Sequence, residues 1–211
     1  MTQALAIDLG AMIEGIGRWV RTESPTRDAK AVNRMIDVVQ SDASDLPVAI
    51  ERISGRDGLG DILVLRNRSA GEGPGILILS HIDTVHPMGT LGGASPFRRD
   101  GDRLYGPGLY DMKGGAYLAL EAFRQVTRAG SARLPITFLF TPDEEIGSPT
   151  SRSLIESEAR HAHYTLVTEP AGEGGRVVTS REGVGRCSSC PGAPSRFPLR
   201  TFEGRVIPAR G

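Results

Sequence analysis

The chain has 211 residues, enough for one domain or one and a half with a real core, and 25 Lys+Arg balance 25 Asp+Glu to a formal net charge of +0. That balance argues against a sequence-blind nucleic-acid binder and an electrostatic membrane binder, both of which need a basic excess. With 39% hydrophobic, 24% charged and 5% aromatic residues, the composition is that of a folded chain without base-stacking platforms.

Apolar residues recur at helical spacing at Leu5, Leu9, Met12, Ile13, Ile16, Trp19 and Val20. Asp8 and Glu14 interrupt this pattern as no signal-peptide core would, and no apolar run is long enough to span a bilayer, so a cytoplasmic location is expected. Ser24-Pro25-Thr26 stops the helix, and Val32, Met35, Ile36 and Val39 mark a second one. Pro47 to Ile53 and Ile62 to Leu65 read as strands. Gly75 to Ser80 is short and continuously apolar, as a strand covered on both faces should be, and it runs into His81. A Gly- and Pro-rich loop follows, with a short hairpin around Arg98 to Leu104. Beyond it lies a helix from about Met112 to Arg128, with Tyr117, Leu120, Phe123 and Val126 as core contacts. Pro135 to Phe140 is a second buried strand, Ser151 to Ala159 a helix, Tyr164 to Thr168 a third buried strand, and Arg176 to Thr179 a candidate fourth.

Strands alternating with helices predict an α/β fold. Polar groups follow three separate strand ends: His81 and Asp83, then Asp143, Glu144 and Glu145, then Glu169. In open α/β sheets ligands bind outside the carboxyl ends of the strands, so these groups and Asp111 outline one rim. Crowded carboxylates repel and take up protons unless a cation sits among them. An imidazole with carboxylates suits zinc, and also manganese or cobalt. In His81-Ile82-Asp83 the imidazole can bind metal while Asp83 orients the ring. Of Glu144 and Glu145, one can bind metal and the other stay free as a base toward water. Taken singly, each motif has a plainer reading: a satisfied core histidine, a helix-opening aspartate, a solvated turn, a strand exit. Their joint occurrence at consecutive strand ends favours a site over an ordinary binding domain with an acidic rim.

Four segments in order, Ser80-His81-Ile82-Asp83-Thr84-Val85, Gly106 to Gly115 through Asp111-Met112-Lys113, Thr141 to Ser148 through Asp143-Glu144-Glu145, and Glu169-Pro170, resemble the M20 metallopeptidases. These include enzymes like glutamate carboxypeptidase, acetylornithine deacetylase and succinyl-diaminopimelate desuccinylase. The resemblance spans Leu5 to Arg186. It implies a three-layer sandwich around a mostly parallel sheet, with this chain supplying an incomplete, N-terminal part of the catalytic domain. It implies two zinc sites: His81, Asp111 and Glu169 on one ion, Asp111 and Glu145 on the other. Glu144 is then the general base toward a metal-activated water, Asp83 supports His81, and the Asp111–Met112 bond is cis. The implied reaction is hydrolysis of an amide in a peptide or small-molecule substrate, of carboxypeptidase or N-acyl amino acid deacylase type. The resemblance also implies a lid domain through which the family often dimerises.

On this reading residues 1–175 belong to the catalytic domain, 176–186 open the lid, and 187–211 are a disordered or frame-shifted tail. That last stretch holds four of the 14 prolines and both cysteines, Cys187 and Cys190. The lid, its histidine and the late histidine of the second metal site find no counterpart here. Expectation therefore runs to one well-held metal, a weak second one, an uncovered sheet edge, and weak hydrolysis or a silent metal-binding chain.

Overall fold

Two aspartates open the first two helices. In the computed structural model, which describes residues 7–68, 70–71, 73–172 and 175–179, the Asp8 carboxylate accepts from the Ala11 N–H at 3.0 Å, and helix α1 runs Leu9–Arg21. Asp28 accepts from the Ala31 N–H at 2.9 Å ahead of α2, Ala29–Ala43. Each satisfies an N–H group that a first turn leaves without an intrahelical partner. The cap moves the start of α1 past the expected Leu5, which lies outside the described residues.

The strands follow as β1 (Ala49–Ile53), β2 (Ile62–Asn67) and β3 (Gly75–His81), then the small hairpin β4 (Arg98–Asp100) and β5 (Arg103–Tyr105). Helix α3 (Gly114–Arg128), strand β6 (Ile136–Thr141), helix α4 (Arg152–Arg160) and strand β7 (Ala162–Val167) complete the order. The main sheet is ordered β1-β2-β6-β3-β7. β6, β3 and β7 are mutually parallel, and β2 opposes both β6 and β1, so four of the five strands point the same way. The expected α/β class with a mostly parallel sheet is what the chain forms.

Strand periodicity divides the sheet's side chains between two cores. Leu63 and Leu65 of β2, Ile78 of β3, and Phe138 and Phe140 of β6 face α1, α2 and α3. Their alternates Ile62, Val64, Leu77 and Leu139 pack with Leu154 and Ile155 of α4. Helices thus cover both faces. Trp19, fully buried, ties the larger core together: its ring meets Tyr117 and Phe140 edge-on at 5.2 and 6.2 Å, and its Nε1–H donates to Asp42 at 2.8 Å. Tyr117, Leu120 and Phe123 are buried as expected, and Val126 packs against the same core.

One strand departs from expectation. β7 forms where the sequence placed it, but it is not buried: Tyr164, Leu166 and Val167 are 62%, 52% and 52% exposed. Among the described residues β7 is the outermost strand and pairs with β3 alone. Ile76 and Ile78 of β3 pack into the α1–α3 core, whereas Tyr164 and Leu166, their partners one strand outward, belong to no described core. An apolar run identifies a strand but does not say what covers it. The expected fourth strand, Arg176 to Thr179, is absent among the described residues, where an isolated bridge joins Gly172 and Arg176. Pro170 closes the first compact unit of the chain. The tail expected over 187–211, and all but 176–179 of the expected lid entry, lie outside the described residues.

A polar clamp joins the sheet to α4. Arg66 of β2 donates two hydrogen bonds to Glu158, at 2.9 and 2.7 Å. The guanidinium holds the Glu158 carboxyl below its usual range despite partial burial. A lowered folded-state pKa means that this stabilisation is complete above the unfolded value and disappears as pH falls through the folded one. Glu158→Gln should cost about 1 kcal/mol at neutral pH, the scale of a bidentate pair near the surface. The difference from wild type should shrink below about pH 4, as urea unfolding at the two pH values would show.

Candidate metal centre

Because β3, β6 and β7 are parallel, their carboxyl ends share one rim. β3 ends on His81, whose register partner is Thr141, the last residue of β6. Thr168, just after β7, is pinned to β3 by its N–H to Leu79 O at 3.1 Å and by a Ser80–Thr168 hydroxyl contact of 2.6 Å. That fixes the start of the Glu169 loop beside His81. Asp111 arrives from a fourth segment, an irregular turn over Leu109–Lys113 that leads into α3. The Asp111–Met112 peptide is cis, as the family resemblance implied. Gly115 lets this turn close on the rim: a Cβ there would lie 2.0 Å from the Thr168 carbonyl oxygen.

His81 forms the buried floor, its side chain 1% exposed, while Asp111 and Glu144 stand at 57% and 51% exposure. Its Nε2 lies 3.0 Å from Asp111 Oδ1, 3.5 Å from Glu169 Oε1 and 3.9 Å from Glu144 Oε2. Its Nδ1 faces the Asp83 carbonyl oxygen at 3.0 Å and Asp83 Oδ1 at 3.3 Å. A carbonyl oxygen only accepts, so Nδ1 carries a proton and Nε2 is the atom aimed at the carboxylates. Two ligand-like groups share this imidazole: His81 with Asp111 and Glu145, and His81 with Glu144 and Glu169, the atoms of each within 4.8 Å of one another. His81, Asp111, Glu144, Glu145 and Glu169 therefore meet at one place, with Asp83 behind the imidazole. Glu145 groups with Asp111, and Glu169 with Glu144, around the shared His81.

Electrostatics test whether this set suits a cation. Burial opposes a charged imidazole, yet hydrogen bonds to Asp83 and Glu169 and the charges of Asp83 and Glu144 carry the His81 pKa up to about 11. Burial also raises the Glu144 and Glu145 carboxyls, and neighbouring carboxylates raise them further while His81 works the other way. The cluster thus demands positive charge beside Nε2. A divalent ion meets that demand with an imidazole-and-carboxylate donor set, in exchange for the Nε2 proton.

The buried surroundings include Asp143, expected on the rim, and other groups the sequence left unassigned. Asp143, wholly buried, accepts from the Thr150 N–H and hydroxyl at 2.6 and 2.7 Å and from the Ser151 N–H and hydroxyl at 3.2 and 2.5 Å. These bonds close the loop that presents Glu144 and Glu145. Lys113, 1% exposed, donates to Trp19 O at 3.2 Å and Thr22 O at 2.6 Å, and burial lowers its pKa to about 7. It ties the turn carrying Asp111 to the end of α1. Ser24-Pro25-Thr26, read from sequence only as a helix stop, runs beside Ile82 to Thr84. A motif scan keyed to acids and histidines passes over Lys113, Ser24 and Thr26, since their value lies in partners far away in sequence.

Residues 77–194, more than half of the chain, match Peptidase family M20/M25/M40. The chain belongs to this peptidase family. Carboxypeptidase G2 from Pseudomonas sp. (strain RS-16) is 37% identical over 175 residues, which cover 82% of this chain and 41% of that protein. The M20 chain described here thus spans about two fifths of the length of that relative. Its fold is shared by aminopeptidase PepT from Bacillus cereus, with a TM-score of 0.65 and 22% identity over 82% of this chain and 46% of that one. An M20 family metallo-carboxypeptidase from Sulfolobus solfataricus gives a TM-score of 0.61 and 17% identity over 81% and 39% of the two chains. Among the described residues, no helix is long and apolar enough to cross a membrane.

Proposed function

We propose that this M20 chain carries the catalytic half-site of a metal-dependent hydrolase acting on amide bonds in peptides or N-acyl amino acids. The observation that carries the reading is the convergence of Asp111, Glu144, Glu145 and Glu169 on one buried imidazole at the carboxyl rim of the sheet. His81, Asp111, Glu145 and Glu169 would hold zinc, with cobalt or manganese as substitutes of similar ligand preference. Bound there, such an ion supplies Lewis acidity to a carbonyl and lowers the pKa of water.

The chain's own residues do the rest. Asp83 accepts the Nδ1 proton of His81 and so keeps Nε2 directed into the site. Glu144, half exposed, can reach solvent water as well as the cluster. In this reading its carboxylate takes a proton from the attacking water and returns it to the departing amine nitrogen, so that one group serves as base and then acid. Backbone N–H groups of Glu144 and Glu145 meet Asp83 at 3.3 Å each, which fixes the start of the turn bearing both side chains.

The test is hydrolysis of N-acyl amino acids and peptides with a C-terminal glutamate, assayed with added zinc or cobalt and again after chelation. Metal-dependent release of the free amino acid supports the proposal. Bound metal without turnover of any such amide supports the second reading, a metal-holding chain that is catalytically silent. Failure to bind metal at all removes both.

A further inference from the structure

The Thr26 hydroxyl is 57 residues away in sequence from the carboxylate that steadies His81, and it makes the shortest hydrogen bond to that carboxylate. Asp83 is fully buried and has four neighbours. Its Oδ1 meets His81 Nδ1 and the Glu144 N–H, each at 3.3 Å. Its Oδ2 meets the Glu145 N–H at 3.3 Å and the Thr26 hydroxyl at 2.8 Å. A hydroxyl has one proton to give, and the other acceptor near Thr26, the Thr84 carbonyl, is further away at 3.3 Å. Three long contacts and one short one leave Thr26 as the group that sets the rotation of the Asp83 carboxylate. That rotation in turn places Oδ1 as the second partner of His81 Nδ1, beside the Asp83 carbonyl oxygen at 3.0 Å, and positions the Glu144-Glu145 turn on the other side.

The segment bearing Thr26 is held independently of the hydroxyl. Thr84 N–H donates to Ser24 O at 2.9 Å, Thr26 N–H donates to Thr84 O at 3.2 Å, and the Ser24 hydroxyl donates to Ile82 O at 2.6 Å. Thr26 itself is 5% exposed, so water does not readily replace its hydroxyl. We infer that Thr26 is a positioning residue for the metal centre, acting through Asp83 to orient His81 and the glutamate turn. This rests on the metal reading of the site, which the experiment below tests separately.

Zinc alone is titrated, in competition with a chromogenic chelator, into the full chain and its Thr26→Val, Thr26→Ser and Asp111→Ala variants. Valine keeps the volume of threonine and removes the donor; serine keeps the donor. The expected result is zinc affinity reduced about 10-fold or more in Thr26→Val, the usual cost of losing a partner behind a metal ligand, with wild-type affinity in Thr26→Ser. Circular dichroism before zinc is added establishes that each variant folds, and Thr26→Ala replaces Thr26→Val if the latter does not. Wild-type affinity in the donor-less variant overturns the inference, as does equal weakening by serine and valine, which would assign the effect to shape. If wild type binds no zinc, or Asp111→Ala binds it equally well, the metal reading itself fails.

Discussion

Asp111→Ala is expected to weaken zinc binding by at least about 100-fold while leaving the fold intact. The carboxylate removed lies 3.0 Å from His81 Nε2 and is more than half exposed, so no core packing is lost with it. Its charge is one of those that raise the Glu145 and Glu144 carboxyls. Removing it relieves that repulsion but also removes the hydrogen bond to His81 Nε2; the two effects oppose each other, so thermal stability before zinc is added should stay close to that of wild type. Zinc at 100 times its dissociation constant stabilises a binding chain by about 2.7 kcal/mol. For a chain of this size that is a rise in Tm of roughly 5–10 °C. Wild type should show that rise in a calorimetric scan and Asp111→Ala should not. A direct ligand should cost more than the 10- to 100-fold typical of groups behind one. An unchanged zinc shift in the variant would remove Asp111 from the metal site.

Glu144→Gln should have the opposite signature, with zinc retained and turnover lost. Glutamine keeps the shape and an oxygen donor but cannot accept a proton at neutral pH. General acid–base catalysis contributes about 10²–10⁴-fold, so hydrolysis should fall by that factor while zinc affinity changes little. The pH profile carries the same assignment. Burial and the charges of Glu169, Asp83 and Asp111 push the Glu144 carboxyl above its ordinary range, against His81. A base works only when ionised, so the rate should fall as pH drops through the Glu144 pKa, which a bound cation draws back down from its metal-free position. Steady-state rates across pH 4–8 check this, and the acid limb should vanish in the glutamine variant. A glutamine variant that turns over normally would move the base elsewhere.

Both predictions concern residues legible in the sequence, and the reason is physical. His81, Asp111, Glu144, Glu145 and Glu169 are polar groups placed directly after apolar strands or before a helix, where parallel topology must bring them together. The strand-end rule needs only the order of elements, and that order was readable from periodicity. The support around the site was not. Thr26 and Lys113 are small or buried groups whose partners lie 57 and 91–94 residues away. Nothing in the local pattern of Ser24-Pro25-Thr26 distinguishes a helix stop from a strut under Asp83. β7 failed differently: Tyr164 to Val167 has the apolar texture of a covered strand, but burial depends on what lies beside it, and among the described residues β7 is the sheet's edge.

The central claim is that one metal-holding centre is built on His81. An anomalous difference map at the zinc edge, from crystals of this chain grown with zinc, tests it most directly. The account predicts a peak within coordination distance of His81 Nε2, flanked by oxygens of Asp111, Glu145 or Glu169. A peak only at other surface carboxylates or histidines, with His81 Nε2 still hydrogen-bonded to Asp111, would contradict it.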